Sequence, residues 1–183
     1  MARRIAYTGD PVITLAEVAY QCRLDPEDLQ PELIEHVVIP GVTGMAEAIT
    51  GAAIRQAEYE DEWPEHFGSG HPLDQGQAFE VLSVSRVHEN GEVLVLDVDT
   101  SLRQSSRESF LHFPAGRPPG VLSIRYLAGV SLEAYPSVKI WLLMQAAAAH
   151  ELRETMIVGT ILTALPARFL GSLLSEIEVP PRF

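Results

Sequence analysis

The sequence predicts an α+β fold: a helical bundle of about three to four helices with a small antiparallel β-region and an extended C-terminal tail. Three observations carry this reading. Helical periodicity with start signals occupies residues 14–51 and returns at 137–152, period-two alternation broken by turn pairs fills about 53–127, and Pro180-Pro181 holds the end out of a helix. Helices, then strands, then helices, without a regular β-α-β alternation, is the α+β pattern.

The first helix, about 14–23, starts at Thr14-Leu-Ala-Glu17, a capping box in which the Thr hydroxyl and the Glu carboxylate each satisfy a free backbone N–H. Pro26 and Pro31 stand where a first helical turn tolerates proline, so a second helix occupies about 27–51. Along it Leu33, Ile34, Val37, Val38, Gly41, Met45, Ala48, Ile49 and Ala52 define one apolar face. The small residues Gly41, Gly44, Ala48 and Ala52 let another backbone approach closely, and Pro40-Gly41 predicts a kink.

Residues 54–63 read as an exposed or edge strand ending at Pro64, and Gly68 to Pro72 as a loop. Phe79–His88 alternates like a strand, Asn90-Gly91 is a hairpin pair, and Glu92–Val98 is the antiparallel partner. The polar run Asp99–Ser109 suits a loop or a protruding hairpin tip, Phe110–Phe113 a short strand, and Val121–Leu127 is the clearest strand in the chain. A helix over 137–152 is expected to bury Ile140, Leu143, Met144, Ala147 and Leu152, and a short one follows over 166–175 before the tail, 176–183.

The length, 183 residues, fits a single domain spanning 1–183, and 46% apolar with 21% charged residues gives it enough to bury a core. Formal net charge is −12, a field that repels phosphate backbones and disfavours tight, sequence-independent DNA binding. Cys22 is the only cysteine, which excludes an internal disulfide and a multi-cysteine zinc site and points to a reducing setting. Neither a signal-peptide apolar segment nor a run of 18 apolar residues occurs, so neither secretion nor a membrane span is expected.

Few residues offer chemistry. Asp97-Val-Asp99 after Val93–Leu96 approaches the first motif of a Mg²⁺-dependent phosphatase, with Asp97 as nucleophile and Asp99 as acid. That chemistry needs a parallel sheet, and the Asn90-Gly91 hairpin makes this strand antiparallel; polar residues ending a strand are the plainer reading. His66 and His71 flank a Gly-Ser-Gly segment without a third metal ligand at a recognisable spacing, and read as solvated loop residues. No Gly-x-Ser-x-Gly elbow occurs, Gly41-Val-Thr-Gly44 lacks the lysine and length of a phosphate loop, and Cys22 reads as inert packing. No catalytic residue, cofactor site or metal site is expected. Glu58, Glu60, Asp61 and Glu62 form an acidic cluster, either a solvated strand protected from aggregation or, in a ring, the wall of a channel along which DNA slides without sticking.

Three stretches in order, Thr14-Leu-Ala-Glu-Val-Ala19, then Glu32-Leu-Ile-Glu35 through Ala48-Ile-Thr-Gly51, then Val158-Gly-Thr-Ile-Leu-Thr-Ala-Leu-Pro166 with Leu173-Leu174, give the chain a recognisable outline. It resembles the head-to-tail connector (adaptor) proteins of long-tailed bacteriophages and prophages. The resemblance covers nearly the whole chain and rests on packing and turn residues. It implies a structural virion protein of the neck, assembled in the host cytoplasm: a ring, typically of twelve copies, docked beneath the portal protein and above a tail-side stopper or tail terminator. It also implies a central channel that DNA passes without specific binding, no membrane, and no catalysis. The rivals are the phosphatase using Asp97 and Asp99, and a stopper or tail-completion protein.

On that reading the closing stretch is a contact surface toward the portal or a neighbouring subunit, formed by Leu165, Pro166, Phe169, Leu173, Leu174, Ile177, Arg182 and Phe183. So apolar a segment finds little burial in so small a domain, and a partner groove supplies it. A terminal helix packed on its own domain is the plainer alternative.

Overall fold

A computed structural model describes residues 2–88, 90–154 and 167–181. The fold is α+β, with antiparallel sheets, and the chain divides into two compact units. One comprises residues 1–10, 51–130 and 177–183; the other comprises 11–50 and 131–176.

The first unit is built on a five-stranded antiparallel sheet of order β1-β2-β8-β4-β5, from β1 (Arg3–Tyr7), β2 (Ala57–Trp63), β8 (Val121–Ala128), β4 (Ala78–Val87) and β5 (Val93–Leu96). A three-stranded sheet, β3 (His71–Pro72), β7 (Ser109–His112) and β6 (Ser101–Gln104), completes it. The clearest sequence strand, β8, is central, paired with β2 on one side and β4 on the other. Its alternation puts Leu122, Ile124, Tyr126 and Ala128 into a core shared with Tyr59, Trp63, Leu111 and Phe113.

One reading of this region changes, and for the polar run the hairpin alternative holds. The strand over 57–63 is interior, because β1 covers its free edge with Arg3 opposite Glu60 and Arg4 opposite Tyr59. β1 escaped notice because all five of its residues are exposed, leaving no inward-outward pattern to read. The polar run after Asp99 becomes the β6–β7 hairpin, closed by Ser105, whose N–H donates to the Glu108 carbonyl and whose hydroxyl accepts from the Glu108 N–H. The hairpin at Asn90-Gly91 joins β4 and β5 as expected: Gly91 takes φ 82°, and the Asn90 side-chain oxygen accepts from the Glu92 N–H.

In the second unit α1 (Leu15–Cys22) begins with both capping-box bonds in place. It ends at Arg23, whose left-handed φ of 59° lets the Leu24 N–H reach back to the Ala19 carbonyl. A 3₁₀ turn (Pro26–Leu29) leads to α2 (Pro31–Leu33), a π turn (Ile34–Val38) and α3 (Ile39–Thr50). The expected interruption at Pro40 takes the form of that π turn. Proline has no N–H to bond and its ring crowds the preceding turn; the wider π spacing, with the Ile39 N–H on the Ile34 carbonyl, relieves the crowding while the backbone stays helical. Buried Thr43 and Thr50 bond their hydroxyls to carbonyls four residues back, at 2.8 Å each.

α4 (Pro136–Glu154) packs against α1, α3 and α5 (Ala167–Leu174). Among its described side chains Val138, Trp141, Leu142 and Ala146 are buried and Leu143, Met144 and Ala147 half-buried, whereas Ile140 is exposed; the Leu152 side chain lies outside those described. The buried stripe is rotated from the expected one because both sides of this helix are apolar enough to satisfy the periodicity.

Candidate functional site

The acidic cluster resolves into two faces. Along β2 successive side chains alternate, so Glu58, Glu60 and Glu62 point to the outer face of the sheet while Asp61 points into the core with Tyr59 and Trp63. Asp61 therefore does not belong to the outer acidic row. Glu58 pairs with Arg125 of β8, and Glu60 pairs with Arg3 of β1 and accepts from the Ser123 hydroxyl at 2.9 Å. The Arg3 hydrogen bond, then that from Ser123, hold the Glu60 carboxyl below its ordinary pKa. Glu62 is exposed at the end of the row. Arg3, Glu60, Glu62, Val87, Val93 and Ser123 line a depression of about 330 Å³ on this face. The face is thus a mixed array of arginine–carboxylate pairs with Glu62 beyond them and exposed Glu80 on β4, less negative than the bare sequence implied.

Asp61 has a structural setting. Its Oδ1 accepts from the Tyr126 hydroxyl at 3.0 Å and its Oδ2 from the Asp74 N–H at 2.7 Å, while the Tyr126 oxygen accepts from the Gln75 N–H at 3.2 Å. Burial pushes the Asp61 pKa up to about 6, aided by the nearby Asp74 charge and opposed by the two hydrogen bonds. Burial likewise pushes the Tyr126 hydroxyl well above its usual range. The trio ties the 73–75 loop to strands β2 and β8.

Of the histidine pair of the 66–72 segment, His66 is exposed, as a solvated loop residue is, whereas His71 is half-buried and packed. His71 stacks on Phe67 with ring centroids 3.7 Å apart and meets the Trp63 ring edge-on at 5.3 Å, and His66 meets Phe67 at 4.8 Å. Among the described residues no group of three or more His, Cys, Asp or Glu is placed to hold a metal. Asp97 and Asp99 are exposed beyond the end of β5, an antiparallel edge strand, where the parallel-sheet geometry of the phosphatase reading does not exist. Half-buried Cys22 has its thiol pKa raised, by burial first and by Glu151 second, away from the reactive thiolate.

Of the closing stretch, Leu165, Pro166, Arg182 and Phe183 lie outside the described residues. Phe169 is exposed and Leu173 half-buried, whereas Leu174 and Ile177 are buried by the chain itself. α5 packs against α4, and Leu174 is its buried residue among those described. Val179 runs against Gly51 and Gly76 of the β-unit. The surface that α5 offers outward is Arg168, Phe169, Gly171 and Ser172.

Periodicity also misassigned α3. Of the face read as its packing side, Ile34 and Ala52 are buried and Leu33 and Val38 half-buried, but Val37, Gly41, Met45, Ala48 and Ile49 are exposed, and along α3 itself Ile39, Val42, Thr43, Ala46 and Thr50 are the buried residues. The signal was present in that α3 is apolar on both sides, which no solvated helix requires.

No protein-family model and no curated protein matches the chain. Solved structures do. A chain in the virion of a native gene transfer agent (GTA) particle has a TM-score of 0.75 at 16% identity, covering 100% of this chain and 97% of that one. Chains in the neck of an empty GTA particle computed with C6 symmetry (TM-score 0.73, 15% identity) and of a native GTA particle computed with C12 symmetry (0.67, 15%) match over the same shares, 100% and 97%. From end to end, the chain shares the fold of these particle-neck and virion chains.

Proposed function

We propose that the chain is a structural subunit of the neck of a phage-like particle, the head-to-tail connector or adaptor. Copies form a ring, twelve in the C12 case, beneath the portal and above the tail-side stopper or tail terminator, around a channel for DNA. One observation carries the proposal: the end-to-end fold likeness, TM-score 0.75 over 100% of the chain, to a chain of a GTA virion, with the same likeness to chains of symmetric necks. The chemistry of the chain agrees. Glu17, Glu58 and Glu60 are paired with basic residues, Asp61 is held in the core by Tyr126 and Asp74, and Asp97 and Asp99, both exposed, lack the surroundings of a phosphatase centre.

In this role no cofactor or catalytic group is needed, and the outer face of the β2 row is a wall past which a polyanion slides. Electron microscopy of particles assembled without the protein tests the reading. Full heads bearing portals but no neck or tail are expected; complete tailed particles would overturn it, and heads with an adaptor ring but no closure below would point to a stopper instead.

A further inference from the structure

The helical unit turns an uncovered apolar face to solvent. On α3 the side opposite its buried residues presents Met45 and Ile49, 50% and 54% exposed, with Val37 one stretch earlier at 59%. Between them lie Gly41 and Gly44, where an added Cβ would meet no atom within 4 Å, so the floor of this face is open backbone. A solvated helix carries polar residues on its outer side; here Glu47 alone borders the face along α3. Contiguous exposed apolar surface of this kind marks a site of association.

A second patch lies on another helix of the same unit. Tyr20 is 88% exposed and Leu24 41%, with exposed Arg23 between them, set outward by its left-handed backbone. Tyr20, Arg23, Leu24 and Asp25 line a cavity of about 460 Å³. Tyrosine and arginine are the residue types that anchor interfaces.

We propose that these two patches meet between copies: the α3 face of one chain receives Tyr20, Arg23 and Leu24 of the next. The inference rests on the ring reading, since two different patches that fit each other make a head-to-tail contact, and such contacts close into rings. Charge favours this occupant. Glu32 and Glu35 are exposed just before the α3 face and meet Arg23, the one cation of the second patch, whose cavity Asp25 also lines. Shape favours it too, because the open floor at Gly41 and Gly44 admits the flat Tyr20 ring, and unbranched Met45 suits the cavity beside Tyr20.

The test uses the full chain and measures assembly mass by light scattering beside folding by circular dichroism. Met45→Glu and Tyr20→Glu alter exposed side chains, so both variants are expected to fold as the wild type does and to lose the ring. In a Cys22→Ser background, Tyr20→Cys with Met45→Cys is expected to give a ladder of disulfide-linked copies on oxidation, and either cysteine alone none. A wild type that assembles, alone or on portal complexes, while both glutamate variants assemble equally overturns the seam and leaves the ring reading standing; a wild type that stays monomeric alone and adds no mass to portal complexes overturns both. Cross-linking by Met45→Cys alone overturns it in favour of two α3 faces meeting. Unfolding of the Met45→Glu monomer overturns it by showing that another part of the same chain covers the face.

Discussion

The Tyr126 hydroxyl donates a hydrogen bond to Asp61 Oδ1 at 3.0 Å in the interior of the β-unit, where Asp61 is only 1% exposed. The carboxylate there accepts two hydrogen bonds, but burial outweighs them and its folded pKa rises from 3.8 to about 6. A carboxyl with a raised folded pKa stabilises fully below its unfolded pKa, and that contribution is lost as pH rises through the folded value. The term is present below about pH 3.8 and gone above about pH 6, on the order of 3 kcal/mol in all. Asp61→Asn removes it. Urea unfolding at several pH values is expected to show the variant losing most relative to wild type near pH 4 and recovering as pH approaches 7; a gap constant with pH would contradict this.

Thr14→Ala deletes the capping-box hydroxyl on which the Glu17 N–H rests. Loss of about 1 kcal/mol is expected, as for other N-caps. The same change leaves Glu17, whose carboxyl is held below its ordinary pKa chiefly by hydrogen bonding to Lys139, in its ion pair. A melting-temperature drop with unchanged assembly mass is the expected pair of results.

Gly76 has no room for a side chain. A Cβ there would lie 2.5 Å from the Arg107 carbonyl oxygen and 3.0 Å from the Val179 side chain. Gly76→Ala is expected to cost about 1–3 kcal/mol, the usual range for overpacking, read as a lower denaturation midpoint. Gly41→Ala, open on all sides and inside a helix, serves as the contrast and is expected to gain up to about 1 kcal/mol.

The outer row of β2 separates a channel wall from an ordinary solvated sheet. Changing Glu58, Glu60 and Glu62 to lysine breaks two ion pairs and turns a mixed face cationic. If this face lines the channel, particles carrying the triple variant release DNA more slowly, and added salt restores the rate as the phosphate contacts are screened. Release that is unchanged at low salt assigns this row to the outside of the ring.

The fold class and most strands were legible because their signals are local: the capping box at Thr14, the Asn90-Gly91 turn, the alternation of Leu122, Ile124 and Tyr126. What escaped depended on tertiary context. β1 has no buried side chain to mark it, and Asp61 looked like its acidic neighbours until the pleat of β2 turned it inward. Helix faces on α3 and α4 were only partly located, for one shared reason: period 3.6 finds an apolar stripe but cannot choose between two, so exposed Met45, Ile49 and Ile140 were read as core while Val42, Ala46, Trp141 and Leu142 were missed. At the C-terminal surface, Phe169 points outward while Leu174 and Ile177 are buried by the chain itself, because hydropathy does not distinguish self-burial from burial by a partner.

The most direct test of the neck-ring proposal is the mass of the purified protein alone and after mixing with portal complexes, measured by native mass spectrometry. The account predicts added mass on the portal equal to a whole-number multiple of the single chain, twelve for the C12 arrangement of the structural neighbour. A protein that stays strictly monomeric and adds no mass to portals would contradict it.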